Sequence, residues 1–113
     1  MRIIASRVFD RAAARLLTPA ERDAEEAGLI ARPEAWPVIR GSGGARKARI
    51  ARAGQGKRGG GRVIYFHMPN PATLILLAIY AKDERENLSD ADTKAIRAAI
   101  AEIRAALGHD AQG

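Results

Sequence analysis

Three consecutive stretches decide the fold: Ala45-Arg46-Lys47-Ala48-Arg49-Ile50-Ala51-Arg52, the glycine-rich segment from Gly54 to Gly61, and Arg62-Val63-Ile64-Tyr65-Phe66-His67-Met68. The first alternates, with Lys47, Arg49 and Ala51 on one side and Arg46, Ala48, Ile50 and Arg52 on the other, which is the period of a strand. The last is rich in β-branched and aromatic residues, which suit a pleated surface. With glycines between them, the two runs predict a β-hairpin lying between Gly41 and Met68. Pro69-Asn70-Pro71 supplies a turn, and Thr73–Ala81 is apolar enough to form a central third strand.

Outward from the hairpin the pattern changes to helices. Met1–Ser6 predicts a short strand, and Ser6 caps a first helix in which Phe9, Ala13 and Leu16 recur at helical spacing. Thr18-Pro19-Ala20-Glu21 is a capping box with proline at the first helical position, and the second helix ends before Pro33. Pro33 to Ser42 is an extended connection, with Trp36 as its anchor beside Pro37. Ser89-Asp90-Ala91-Asp92 opens a last helix. Its stripe of Ile96, Ile100, Ile103 and Leu107 reads as core, or as a face for a partner, and Gly108 is expected to close it. The order predicts an α+β domain: an N-terminal strand and helical hairpin packed on a small antiparallel sheet, followed by a C-terminal helix, with the sheet covered on one face.

At 113 residues the chain has the length of one domain, taken as 1–113. Its 47% hydrophobic content argues against disorder, and with 4% aromatics the core must be built mainly of Ala, Leu, Ile and Val. Without cysteine there are no disulfides and no thiolate metal sites. The two histidines, His67 and His109, have no carboxylate at ligand spacing, so neither a metal nor a cofactor is expected. The longest apolar run, Leu74 to Ala81, is too short to cross a bilayer, and the first residues lack the apolar stretch of a signal peptide. The reading is a soluble, cytoplasmic protein.

The formal charge of +6 is unevenly spread. Residues 1–40 carry a net +1 and residues 69–113 a net −2, whereas residues 41–68 carry Arg46, Lys47, Arg49, Arg52, Lys57, Arg58 and Arg62 with no acid. A field of one sign concentrated in a quarter of the chain attracts polyanions. A solvated basic hairpin with no ligand is the plainer alternative, but folds usually intersperse compensating acids.

Gly54-Gln55-Gly56-Lys57-Arg58-Gly59 matches G-x-G-x-x-G. That motif binds a dinucleotide when a helix follows it, and here a strand follows. The phosphate-cradling G-x-x-x-x-G-K-[ST] pattern fails as well, because Arg58 stands where Ser or Thr is needed. The glycines read instead as a hairpin tip whose backbone can approach a phosphodiester. Lys47 and Arg49 share a strand face, and Arg62 opens the neighbouring strand. Three cations so placed repel one another unless an anion sits between them, which makes a phosphate site the natural compensation. Lys82, just past the third strand, is within reach of the same rim. Arginine does not serve as a base, so any proton transfer falls to lysine, which gives up its charge more readily among other cations. His67 lies at the exposed end of a strand, on the face of Val63 and Tyr65 and opposite Arg62, and reads as structural. Tyr65 reads as packing, and Tyr80 is ambiguous.

Taken together, Gly41-Ser42-Gly43-Gly44-Ala45-Arg46-Lys47-Ala48-Arg49, the glycine segment, Arg62-Val63-Ile64-Tyr65, Leu76-Leu77-Ala78-Ile79-Tyr80-Ala81-Lys82 and Asn87-Leu88-Ser89 resemble the HigB-like branch of the RelE toxin family. The resemblance extends to Leu16-Leu17-Thr18 and Arg32-Pro33-Glu34-Ala35, and so covers nearly the whole chain. It implies a compact RelE-like ribonuclease fold and a metal-independent endoribonuclease that cleaves mRNA, typically in the ribosomal decoding site. It also implies a cognate helix-turn-helix antitoxin of the HigA type. By position, Lys47 would help to deprotonate the ribose 2′-OH, Arg49 and Arg62 would stabilise the phosphorane, and Lys82 would support the leaving oxygen. Arg46, Arg52, Lys57 and Arg58 would bind RNA. The family's usual tyrosine near the last basic position is missing, since Asp83 and Ser89 stand there. A gyrase poison of the related ParE type and a non-catalytic RNA-binding module are the alternatives.

Overall fold

The computed structural model describes residues 1–51, 60–84 and 87–112, with side chains to Leu107. In chain order the elements are β1 (Arg2–Ala5), α1 (Arg7–Leu16), α2 (Pro19–Ala31), β2 (Arg46–Ile50), β3 (Gly61–Pro69), β4 (Ala72–Ala81) and α3 (Asp90–Gln112). The sheet order is β1-β4-β3-β2. β2, β3 and β4 run antiparallel as expected, and β1 joins the free side of β4 in parallel, so the sheet is mixed.

The helix starts follow the local chemistry. Ser6 Oγ accepts the Phe9 N–H at 3.0 Å, capping α1, and donates to the Leu77 carbonyl at 3.0 Å, tying the helix to β4. At α2 the capping box is complete: Thr18 Oγ1 accepts from the Glu21 N–H and Glu21 Oε1 from the Thr18 N–H. Ser89 and Asp92 exchange the same pair of bonds at the start of α3. α3 does not stop at Gly108 but continues to Gln112. Glycine adopts helical and left-handed conformations with similar ease, so it permits a stop without imposing one.

The expectation that one sheet face is covered is corrected. α1 and α2 bury Phe9, Ala13, Leu17 and Leu29 against Ala48, Ile50, Val63, Tyr65, Leu74 and Leu76 on one face. On the other, α3 packs Ile100, with Ile96, Ile103 and Leu107, against Ile64, Phe66 and Ile75. The physical reason lies in β3 and β4, where Val63–Phe66 and Leu74–Leu77 are apolar at every position. A strand buried on both sides reads as a continuous run. The register slips by one residue where Ile64 pairs with Ala78 and Tyr65 with Leu76. This bulge turns both Leu77 and Ala78 toward the α3 side.

The connection from α2 to β2 lies along the outer edge of β2. The Ile39 N–H donates to the Ala45 carbonyl at 2.7 Å, Val38 bridges Arg46, and the Lys47 N–H reaches the Pro37 carbonyl at 3.4 Å. The edge strand is thereby covered. Trp36, half-buried against the core, is held beside it.

Candidate functional site

β2 and β3 gather the cations. Arg49 stands directly opposite Arg62, and Lys47 opposite Ile64. Lys47, Arg49 and Arg62 therefore share the α3-side face that Ile64 occupies. Arg62 stands in turn opposite Tyr80, so Arg49, Arg62 and Tyr80 form a row across three strands. Lys47, Arg49 and Arg62, with Ala35, Trp36, Pro37 and Asn87, line an open cleft of about 540 Å³.

The electrostatics of the cleft are one-sided. Arg62 is only 9% exposed, and its Nη1 donates to the Gly61 carbonyl at 3.0 Å. The Arg49 guanidinium lies 5.6 Å from the centroid of the Trp36 ring. Among the described residues, ion pairs join Arg15 to Glu84, Arg22 to Asp10 and Glu26, and Arg46 to Glu34, and no carboxylate pairs with Lys47, Arg49 or Arg62. Arg62 is withdrawn from water without counter-charge, which is costly, whereas Lys47 is half-buried and Arg49 exposed; an anion in the cleft relieves that cost. What the arrangement can do is hold a phosphate, with the forked donors of two arginines and the ammonium of one lysine.

The other expected residues are placed differently. Lys82 follows β4 at the same end of the sheet, its N–H directed to the Gly60 carbonyl at 3.4 Å, and it is half-buried outside the cleft lining. Arg46 is turned to the opposite face with Tyr65. There its Nη1 donates to the Trp36 carbonyl at 2.6 Å and to the Glu34 carbonyl at 3.2 Å. These bonds clamp the connection, a structural role that the sequence reading did not give Arg46. Arg52, Lys57 and Arg58 lie outside the described residues.

The same opposite face holds His67, whose Nδ1 is 3.5 Å from Glu34 Oε1, and Tyr65, whose hydroxyl donates to the Pro33 carbonyl at 2.8 Å. The His67 side chain is one-tenth exposed, so it is more enclosed than an exposed strand end implies. Burial pushes the Tyr65 phenol above its ordinary pKa, with Arg46 nearby working the other way. Both residues fasten the connection and stand away from the cleft. Trp36 and Asn87 as cleft residues escape the sequence reading. A lone tryptophan next to proline, in a chain with few aromatics, was the available signal for the first.

A family model described as the RelE toxin of the RelE/RelB toxin-antitoxin system matches residues 1–111. The match includes every residue that lines the cleft and all the strands of the sheet. With the mixed four-stranded sheet and its three helices, it establishes that the chain belongs to the RelE toxin family, as the toxin of a toxin-antitoxin pair.

Proposed function

We propose that this toxin is a metal-independent endoribonuclease that acts in the cytoplasm, cleaving mRNA at the ribosome to block translation. The observation that carries the reading is the pairing of Arg49 with Arg62, with Lys47 in the same cleft and no carboxylate partner among the described residues. In the proposed reaction Lys47 takes the proton of a ribose 2′-OH. The freed oxygen attacks the adjacent phosphorus, and Arg49 and Arg62 stabilise the charge that builds on the phosphorane. The bond from phosphorus to the 5′ oxygen breaks with Lys82 supporting that oxygen, which takes up a proton from water. The products are a 2′,3′-cyclic phosphate and a 5′-hydroxyl. Arg52, Lys57 and Arg58 extend the contact along the RNA backbone.

The partner that restrains the toxin is proposed to be a helix-turn-helix antitoxin of the HigA type, in keeping with the HigB-like character of the hairpin sequence. Among the described residues no helix is long and apolar enough to cross a membrane. The experiment is controlled induction in cells with separate labelling of protein and DNA. Prompt arrest of amino-acid incorporation is expected. DNA damage with translation continuing would favour a gyrase poison and overturn the reading.

A further inference from the structure

Trp36 and Arg49 stand on a boundary. Both line the cation cleft, and both also line a neighbouring hollow of about 380 Å³ between the C-terminal part of α2 and β2. The rest of that hollow includes Gly28, Leu29 and Ala48, with Glu25 and Arg32 as its charged groups. Leu29 and Ala48 are buried, so the hollow has an apolar floor. Glu25 and Arg32 bring an acceptor and a donor. Gly28 leaves the hollow open, since a Cβ built there has nothing within 4 Å. A phosphate site and an apolar hollow that share a tryptophan and an arginine match the two halves of a nucleotide.

We infer that the hollow is a nucleobase subsite, in which the base next to the bound phosphate stacks on the Trp36 indole while Lys47, Arg49 and Arg62 hold the phosphate. This rests on the proposed RNA-cleaving function and names the element that positions its substrate. Unpaired bases in RNA are recognised mainly by stacking on aromatic rings and on guanidinium planes. Every base has a π face, so stacking needs no particular sequence. Glu25 and Arg32 then favour bases whose edges offer both a donor and an acceptor. A tryptophan kept only as a core anchor has no need to form the wall of a cation cleft. This one lies half-buried with the Arg49 guanidinium over its ring, 5.6 Å from the centroid, so that the indole and the guanidinium together offer the stacking surface.

Trp36 is the only tryptophan in the chain, so its fluorescence reports the subsite directly. The probes are a 2′-O-methyl RNA hexanucleotide, which cannot be cleaved, and the same 2′-O-methyl strand without bases. The base-bearing strand should quench Trp36 and bind about five- to a hundredfold more tightly than the base-free strand, the range expected for stacking of one base. Gly28→Leu adds a side chain to an exposed helical position and fills the hollow from outside the core. It should bring the base-bearing strand down to the affinity of the base-free one. Trp36→Phe should keep most of the preference. Equal affinity for the two strands, or a preference that survives Gly28→Leu, overturns the subsite while leaving phosphate binding in place. If neither strand binds, the phosphate site formed by Lys47, Arg49 and Arg62 fails and the subsite with it.

Discussion

Arg49 and Arg62 are directly paired across β2 and β3, two arginines at one register position with no carboxylate partner among the described residues. Like charges so placed repel, at a cost of about 0.2–1 kcal/mol. An anion bound between them reverses the sign of the interaction. Inorganic phosphate should therefore stabilise the protein more than chloride at equal ionic strength, by about 1.4 kcal/mol at ten times its dissociation constant. Arg62→Gln should lose that phosphate-dependent increment whatever its own basal stability. Thermal melts in the two buffers check this, and an equal gain in wild type and variant would contradict it.

Arg46 is adjacent to Lys47 in sequence and opposite to it in role. Arg46→Ala should lower stability by about 1–3 kcal/mol, because it removes two charge-assisted bonds to the connection. It should leave the salt dependence of RNA binding unchanged. Lys47→Ala should reduce the slope of log affinity against log salt by about one and change stability little. The comparison needs only binding titrations at several salt concentrations beside a denaturation curve.

How much of this was legible beforehand depends on what each residue signals locally. Ser6, Thr18, Glu21 and Ser89 declare helix starts through side-chain chemistry that acts over three residues, and the structure has each bond. The first hairpin strand follows from alternation and the second from its β-branched and aromatic residues. Coverage of both sheet faces is written in the unbroken apolar runs Val63–Phe66 and Leu74–Leu77, which locally signal only a strand and, for the second, a central one. The parallel pairing of β1 with β4 was not legible, because it joins residues separated by most of the chain. Arg46 illustrates the limit at the site. Alternation put it on the right face, but the carbonyls of Glu34 and Trp36 that occupy it come from a connection with no periodicity to read.

Gly44 sits at φ +121°, and a Cβ there would lie 3.2 Å from Phe66 Cε1 and 3.1 Å from Arg104 Nη2. The arginine tip can swing away, but the Phe66 ring is 4% exposed and packed. Gly44→Ala should destabilise by about 1–3 kcal/mol through strain and that contact. It should also loosen α3, which Arg104 ties to the Gly43 carbonyl at 3.0 Å. Gly41→Ala meets only Thr93 Cγ2 at 3.8 Å and should cost less. Urea denaturation of the two variants gives the ranking.

Tyr65 adds a pH dependence at the alkaline end. Its phenol is raised above the ordinary value chiefly by burial. The folded protein therefore holds the proton more tightly than the unfolded chain. The stability it contributes is complete below about pH 10 and falls as pH rises through the folded value. Tyr65→Phe should lose about 0.5–1.5 kcal/mol at neutral pH with the bond to the Pro33 carbonyl, and should show a shallower fall above pH 10 than wild type. Chemical denaturation at pH 7, 9 and 11 compares the two curves.

The central claim is that the cations on β2 and β3 cleave RNA through the neighbouring 2′-oxygen. The direct measurement is end-group mapping of an mRNA incubated with programmed ribosomes and purified toxin. Fragments ending in a 2′,3′-cyclic phosphate and beginning with a 5′-hydroxyl are expected, formed about a hundred- to a thousandfold more slowly by Arg62→Ala. An mRNA left intact by the wild-type protein, or cleaved at the wild-type rate by Arg62→Ala, would contradict the claim.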